Sequence, residues 1–208
     1  MGWIQLCGIV WGSGVGFLVG HSARRTASCL VCPYQVREKW CEAAGALICG
    51  GVGWWGASHQ VTNAGLVTIV GLVALAWWLL VATATDVTAR RLPNVLTQPG
   101  FAAIVGYGVV TDRVLVPLIG GVLLAVIYAV AIVCAPRSIG AGDVKLAPGV
   151  GAAAAFGGGA CWLLAALAAL VVTAVVGLVV RYRGGSEALP HGASMCGATL
   201  LALTIALA

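Results

Sequence analysis

The sequence predicts an all-α protein, a polytopic transmembrane helical bundle of about eight spans with its amino terminus outside. Three observations lead to this fold class. The first is composition, because hydrophobic residues make up 61% of the 208 residues, charged residues make up 8%, and the mean hydropathy is +1.05. Soluble globular chains carry about 25% charged residues. The other two observations are the spacing of the uncharged stretches and the distribution of the basic residues.

Eight stretches of the chain lack charged residues and are mostly apolar. We expect a helix in each, since a bilayer span needs about 20 apolar residues. The fourth and sixth are short and contain Gly and Pro, so tilted or partial spans are expected there. The first has no basic flank ahead of it and no cleavage site after it, so we expect a retained anchor. The stretches are residues 3–20, 43–57, 64–85, 97–110, 114–134, 147–156, 160–180 and 193–208.

The basic residues fall in alternate loops. Ten of the eleven follow the first, third, fifth and seventh stretches: Arg24, Arg25, Arg37, Lys39, Arg90, Arg91, Arg137, Lys145, Arg181 and Arg183. Only Arg113 lies in an intervening loop. Cytoplasmic loops carry the excess of Lys and Arg, so this pattern places the amino terminus outside. The net charge of +5 is therefore explained by topology, and we expect no nucleic-acid partner.

The acidic residues divide by position. Four of the six lie in predicted loops, where we expect solvated charges: Glu38, Glu42, Asp112 and Glu187. Asp86 instead closes a long apolar run, and a carboxylate at a membrane boundary is unfavourable unless it is paired, hydrated or functional. Asp143 follows Gly140-Ala141-Gly142, which predicts a tight turn into a helix whose amino terminus favours negative charge. Each acid alone could also be an interfacial cap or an ion-pair partner of a nearby Arg or Lys.

Asp86 and Asp143 fall on the same membrane face in the predicted topology. Two carboxylates that meet cannot both ionise easily, so one holds a proton while the other stays charged. The charged member can take a proton from a water that attacks a peptide carbonyl, while the protonated member polarises the carbonyl oxygen. The pair thus predicts an aspartic peptidase, with the two roles unassigned because a coupled pair titrates as a unit.

Two motifs around these acids resemble those of the type IV prepilin peptidases, a family of integral membrane aspartic peptidases. The first is an Asp followed seven residues later by Pro-Asn, here Asp86 and Pro93-Asn94. The second is similar to the family's G-x-G-D-x-K-L signature, here residues 140–146. Residues 188–192 look like the family's I-P-F-G-P loop, with His191 in place of Phe.

The resemblance implies that Asp86 and Asp143 are catalytic. It also implies a site for the substrate, and the substrate-binding candidates are Gly140, Gly142, Lys145, Pro93 and Asn94. The substrates would be prepilin or pseudopilin precursors, whose short basic leader is cut at the cytoplasmic face of a bacterial inner membrane that the chain crosses several times. Residues 1–57 would form two spans joined by a Cys-containing loop and residues 58–208 the peptidase bundle, within one continuous membrane domain.

The loop predicted at residues 21–42 is shorter than in many members of that family and has one Cys-x-x-Cys pair, Cys29 and Cys32. A pocket for S-adenosylmethionine, which many members use to methylate the new amino terminus, is therefore not expected, and proteolysis needs no cofactor. Cys29, Cys32, Cys41 and His21 are candidate zinc ligands, although their C-x2-C-x8-C spacing is irregular.

Two other functions fit parts of the pattern. A presenilin-like intramembrane protease would keep the Gly-x-Gly-Asp turn, but it would have Tyr-Asp at the first acid and Pro-Ala-Leu late in the chain. This sequence has Thr85-Asp86 and Leu189-Pro190 there. A small proton- or cation-coupled transporter would also carry acids in the membrane, yet these would lie nearer mid-span and an internal repeat would be expected.

Overall fold

The computed structural model describes residues 2–31, 40–58, 63–134, 140–184 and 190–207. Within these ranges the regular structure is helical, with eight α-helices and no strand. The helices are α1 (Trp3–Leu30), α2 (Trp40–Ser58), α3 (Asn63–Ala89), α4 (Asn94–Val110), α5 (Leu115–Cys134), α6 (Ala141–Ala155), α7 (Gly159–Tyr182) and α8 (His191–Leu207). The predicted all-α class is confirmed.

Four helices are long and apolar enough to cross a membrane: Trp3–Leu30, Gly65–Ala89, Leu115–Cys134 and Gly159–Tyr182. A fifth helix, His191–Leu207, is apolar but shorter. These helices indicate a membrane protein. The count of eight spans and the outside amino terminus stay predictions, and Arg37, Lys39 and Arg137, on which the topology partly depends, lie outside the described residues.

One predicted loop is wrong. Residues 21–42 were expected to connect two spans, but α1 continues to Leu30 and α2 begins at Trp40. Hydropathy falls after Gly20 because polar and basic residues follow, yet Ala and Arg are good helix formers and the helix does not end there. Arg24, Arg25 and Cys29 are therefore helical residues, and only residues 31–39 separate the two helices.

The chain divides into two compact units, residues 1–88 and 89–208. In the first, α1 and α2 pack as a close antiparallel pair. A Cβ atom at Gly16 would overlap the Gly45 carbonyl, and one at Gly20 would overlap the Cys41 carbonyl. Glycines spaced four residues apart in α1 explain this close packing, because only glycine lets the two backbones approach this far.

The second unit is arranged around α6, which contacts α4, α5, α7 and α8. Most of α6 is buried, and its residues from Ala147 to Ala155 are mainly Ala and Gly. A Cβ at Gly151 would lie 2.6 Å from the Gly120 carbonyl oxygen of α5, so the two helices are in backbone contact. Small side chains thus explain how a short helix can be surrounded by four others.

Candidate active site

The first motif spans a helix end, a turn and a helix start. Asp86 lies in the last turn of α3 and is only 5% exposed. The helix ends at Ala89, and the next residue, Arg90, has a left-handed conformation (φ 52°). Pro93 is extended and α4 begins at Asn94, as expected for a proline that fixes φ and lacks an N–H to satisfy. The structure therefore places a buried acid immediately before this turn.

The second motif forms the amino terminus of α6. Gly140 precedes the helix in an extended conformation, and Asp143 occupies the third helical position. The Gly140 backbone N–H donates to the Asp143 carboxylate, with 3.3 Å between the nitrogen and Oδ2. The predicted helix is confirmed, but it already begins at Ala141, so Asp143 lies in the first turn of the helix and not in a glycine turn before it. The side chain of Asp143 is directed back toward amide groups that the helix itself leaves unpaired.

A second backbone N–H, that of Gly192 at the start of α8, also donates to Asp143. Asp143 is 7% exposed and lies outside the four helices that are long and apolar enough to span a membrane. Burial raises its pKa above the usual value, and the hydrogen bonds from Gly140 and then Gly192 oppose that rise. Its carboxyl group is thus held by neutral amides in a buried site, and perturbed carboxyl groups of this kind are common among catalytic acids and bases.

The two motifs meet inside the second unit through Leu92 and Gly142. A Cβ atom added to Gly142 would lie 3.4 Å from the Cβ of Leu92 and 3.6 Å from its backbone nitrogen. Glycine at 142 leaves room for Leu92 beside the helix start that carries Asp143. Asp86 itself belongs to the first unit and Asp143 to the second. The pairing of the two carboxylates stays a prediction.

The predicted substrate-binding residues lie in or next to these two motifs along the chain. Gly140, Lys145 and Asn94 are exposed, and Gly142 and Pro93 are half-buried. A Cβ at Gly140 would lie 3.2 Å from Asp143 Oδ2, so a side chain there would crowd the carboxylate. All five residues are at least partly exposed, and their contact with a substrate stays a prediction.

Residues that were not predicted to belong to the site complete the surroundings of Asp143. His191 begins α8, and its ring nitrogens contact Tyr128 of α5 and Thr173 of α7. Gly192, the next residue, supplies the amide already described. The sequence signal that could have found the partners of His191 is a single hydroxyl residue in each of two otherwise apolar stretches, Tyr128 in 114–134 and Thr173 in 160–180. Tyr128 is buried and interacts electrostatically with Asp143.

The four acids that were predicted to be solvated loop charges differ in their exposure in the structure. Asp112 is exposed as expected. The prediction for Glu42 is wrong, because Glu42 is 4% exposed in the first turn of α2. Its Oε1 accepts a hydrogen bond from Arg24 Nε at 2.7 Å and lies 3.3 Å from His21 Nδ1. The continuation of α1 beyond the apolar stretch brings Arg24 and His21 to this acid. Glu38 and Glu187 lie outside the described residues.

The candidate zinc ligands stay a prediction. Cys29 is exposed near the end of α1, Cys41 is buried at the start of α2, and Cys32 lies outside the described residues. Among the residues that the structure describes, no group of three or more His, Cys, Asp or Glu side chains is placed to hold a metal ion. Burial, then the charge of Glu42, raise the pKa of Cys41 to about 11, so Cys41 is a thiol at neutral pH.

Comparison with known proteins adds to this geometry. No curated protein and no solved structure matches the chain. The model of the type IV leader peptidase family matches residues 73–206, which is more than half of the 208 residues. The match covers both acidic motifs, the helices α4 to α7 and nearly all of α8. The chain therefore belongs to the type IV leader peptidase family.

Proposed function

We propose that this protein is a membrane-embedded aspartic endopeptidase that removes the short basic leader of prepilin or pseudopilin precursors, with Asp86 and Asp143 activating the attacking water. The observation that carries the proposal is Asp143 itself. It is a buried carboxyl group held by two neutral amides at the start of α6, in a chain of the type IV leader peptidase family. Such a group can accept or release a proton without first breaking an ion pair.

The reaction needs two carboxyl groups that share one proton. The ionised one takes a proton from water, and the water oxygen bonds to the scissile carbonyl carbon while the other donates a hydrogen bond to the carbonyl oxygen. When the C–N bond breaks, a carboxyl proton passes to the leaving amine. The two acids exchange roles during a turnover, and neither is assigned as the permanent acid.

Two features support Asp86 as the partner. It is one of the few buried charged side chains of the described residues, and it ends a long buried segment of α3. It also precedes Leu92 by six residues, and Leu92 lies beside Gly142 at the Asp143 turn. A carboxylate at a membrane boundary is unfavourable unless it is paired, hydrated or functional.

The membrane face follows from charge. Arg90 and Arg91 come directly after α3, and the exposed Lys145 lies two residues after Asp143. Basic residues flank cytoplasmic helix ends, so both turns are assigned to the cytoplasmic face of a bacterial inner membrane. A basic leader would reach that face, while the hydrophobic helix of the precursor would remain in the bilayer.

Cleavage of a purified precursor tests the proposal. The substrate has a short basic leader joined to a hydrophobic helix, and mass spectrometry locates the cut. Asp143→Asn is expected to lower turnover by about 10²–10⁴-fold, since the amide cannot exchange the proton. The matched control is Asp112→Asn, because Asp112 is exposed and Asn adopts its left-handed φ of 54° as readily as Asp. Intact precursor with the unaltered protein, or full activity of Asp143→Asn, would overturn the proposal.

We also propose that the new amino terminus is left unmethylated. Between α1 and α2 only residues 31–39 remain, whereas a ligand of the size of S-adenosylmethionine is usually bound in a pocket of about 300 Å³ or more. The mass of the mature peptide, measured after cleavage in the presence of the methyl donor, decides the point. One added methyl group that depends on this protein would contradict it.

A further inference from the structure

The amino terminus of α8 is held by a chain of three polar side chains from three helices. His191 Nε2 lies 2.8 Å from the Tyr128 hydroxyl of α5, and its Nδ1 lies 2.6 Å from Thr173 Oγ1 of α7. The His191 ring also stacks on the Tyr128 ring, with centroids 5.7 Å apart and 28° between the planes. Both ring nitrogens are therefore engaged, and the first residue of α8 is fixed to two neighbouring helices.

Counting protons gives the direction of each hydrogen bond. Thr173 has a single hydroxyl proton, and its oxygen donates it to the Ala169 carbonyl at 2.9 Å. Thr173 must then accept from His191, which requires the proton of the neutral imidazole on Nδ1. The lone pair on Nε2 accepts from the Tyr128 hydroxyl. All three donors point the same way, from Tyr128 through His191 to Thr173 and the α7 backbone.

The residue after His191 is Gly192, whose backbone N–H donates to Asp143. In the first turn of a helix this N–H has no partner within its own helix, so it is available to a carboxylate. Its direction depends on where the first turn of α8 lies. A small displacement of that turn would lengthen the hydrogen bond to Asp143. Misplacement of a catalytic group by about 1 Å can lower the reaction rate about 100-fold.

We propose that Tyr128, His191 and Thr173 form a positioning chain for the active site, which holds the first turn of α8 so that the Gly192 N–H meets the Asp143 carboxylate. The inference rests on the proposed role of Asp143 in peptide hydrolysis. None of the three side chains is assigned contact with the substrate, so they are positioning residues. A phenylalanine at position 191 could stack on Tyr128 but could make neither hydrogen bond.

Kinetics of three variants test the chain: His191→Phe, Tyr128→Phe and Thr173→Val. Each is expected to lower kcat at least tenfold with little change in KM, because each variant loses one hydrogen bond or, for His191→Phe, both, and one bond corresponds to about that factor. His191→Phe combined with Tyr128→Phe should be no slower than His191→Phe alone. The matched control is Thr199→Val, since Thr199 also donates only to the carbonyl four residues earlier in its helix, Met195. It should retain the kcat of the unaltered protein.

A spectroscopic measurement reports on the chain without activity. The protein contains three histidines, and His191→Phe identifies the signal of His191 in ¹⁵N-histidine-labelled protein. The inference requires that His191 is the neutral tautomer with its proton on Nδ1. It also requires that the chemical shift of the Gly192 amide proton changes between the unaltered protein and His191→Phe. An Nε2–H tautomer, or an unchanged Gly192 amide, would overturn it even if the protein cleaves precursors.

The outcomes separate this inference from the proposed function. If the unaltered protein leaves precursors intact, the proposed function fails, and the Gly192 amide still decides whether the chain positions Asp143. If the protein cleaves and His191→Phe has an unaltered kcat, the positioning role fails alone. If His191→Phe does not fold, the single-atom changes Tyr128→Phe and Thr173→Val give the same kinetic and amide readouts.

Discussion

Glu42 in the first unit and Asp143 in the second are both buried carboxyl groups near a helix amino terminus, but they have different partners. Glu42 accepts a hydrogen bond from the charged Arg24 and lies beside His21. Asp143 accepts from two backbone N–H groups, those of Gly140 and Gly192. Burial alone would raise the pKa of Glu42, yet Arg24, a backbone N–H and His21 hold it below its usual value. For Asp143 burial outweighs the amides and the pKa rises.

The difference separates a structural acid from a candidate catalytic one. A carboxylate paired with Arg24 is fixed in its charged form, and it stabilises the packing of α1 against α2. A carboxyl group such as Asp143, whose donors within the described ranges are neutral, can change its protonation state during a reaction. Burial by itself is therefore a poor guide to function. The charge of the hydrogen-bond partner determines whether a buried carboxyl group can change its protonation state.

The largest expected effect on stability comes from breaking the Glu42 ion pair. Arg24→Gln leaves the charge of Glu42 buried with weaker partners, and loss of one member of a buried pair is worth about 3–5 kcal/mol. Thermal unfolding of the full chain in detergent measures this loss. Arg25→Gln is the matched control, because Arg25 is the neighbouring residue and is exposed. Equal stability of the two variants would mean that the pair contributes nothing.

A smaller effect is expected where α1 approaches α2 beside this pair. In Gly20→Ala the new methyl group would overlap the Cys41 carbonyl, and overpacking of this kind destabilises by about 1–3 kcal/mol. Gly14→Ala is the control, since a Cβ at Gly14 meets no atom within 4 Å and alanine favours a helix. The same unfolding measurement should thus show opposite signs for the two substitutions, and a stabilising Gly20→Ala would contradict the close packing.

The smallest expected effect is on the pH dependence of unfolding, and it has opposite signs for the two acids. Because the folded-state pKa of Glu42 is lowered, its stabilisation is present above the usual value of 4.5 and is lost as pH falls through the folded pKa. Because the pKa of Asp143 is raised, its contribution is present below the usual value of 3.8 and is lost as pH rises through the folded pKa.

The measurement is the free energy of unfolding as a function of pH for Glu42→Gln and Asp143→Asn. Acidification should shrink the advantage of the unaltered protein over Glu42→Gln. The same acidification should increase the free energy of unfolding of the unaltered protein relative to that of Asp143→Asn. Parallel curves for the two variants would show that the partners of these acids do not distinguish them, and Asp112→Asn supplies the baseline.

Much of the fold and of the Asp143 turn could be predicted from the sequence. Apolar stretches locate the eight helices, and Gly140-Ala141-Gly142 before Asp143 predicts that a helix begins close to this acid. The burial of Glu42 could not be predicted from the sequence. It depends on the continuation of α1 through Arg24 to Leu30, and hydropathy does not indicate this continuation. The hydrogen bond from the Gly192 amide to Asp143 could not be predicted either, since it depends on the packing of α8 on α6.

The central claim is that Asp86 and Asp143 act as one catalytic pair, and a double-mutant cycle tests it most directly. Turnover of a leader-bearing precursor is compared among Asp86→Asn, Asp143→Asn and the double variant. Groups that act as a unit are strongly non-additive, so each single variant should lose as much activity as the double variant. A substantial residual turnover in Asp86→Asn, or a double variant that loses the product of the two single losses, would contradict a shared mechanism.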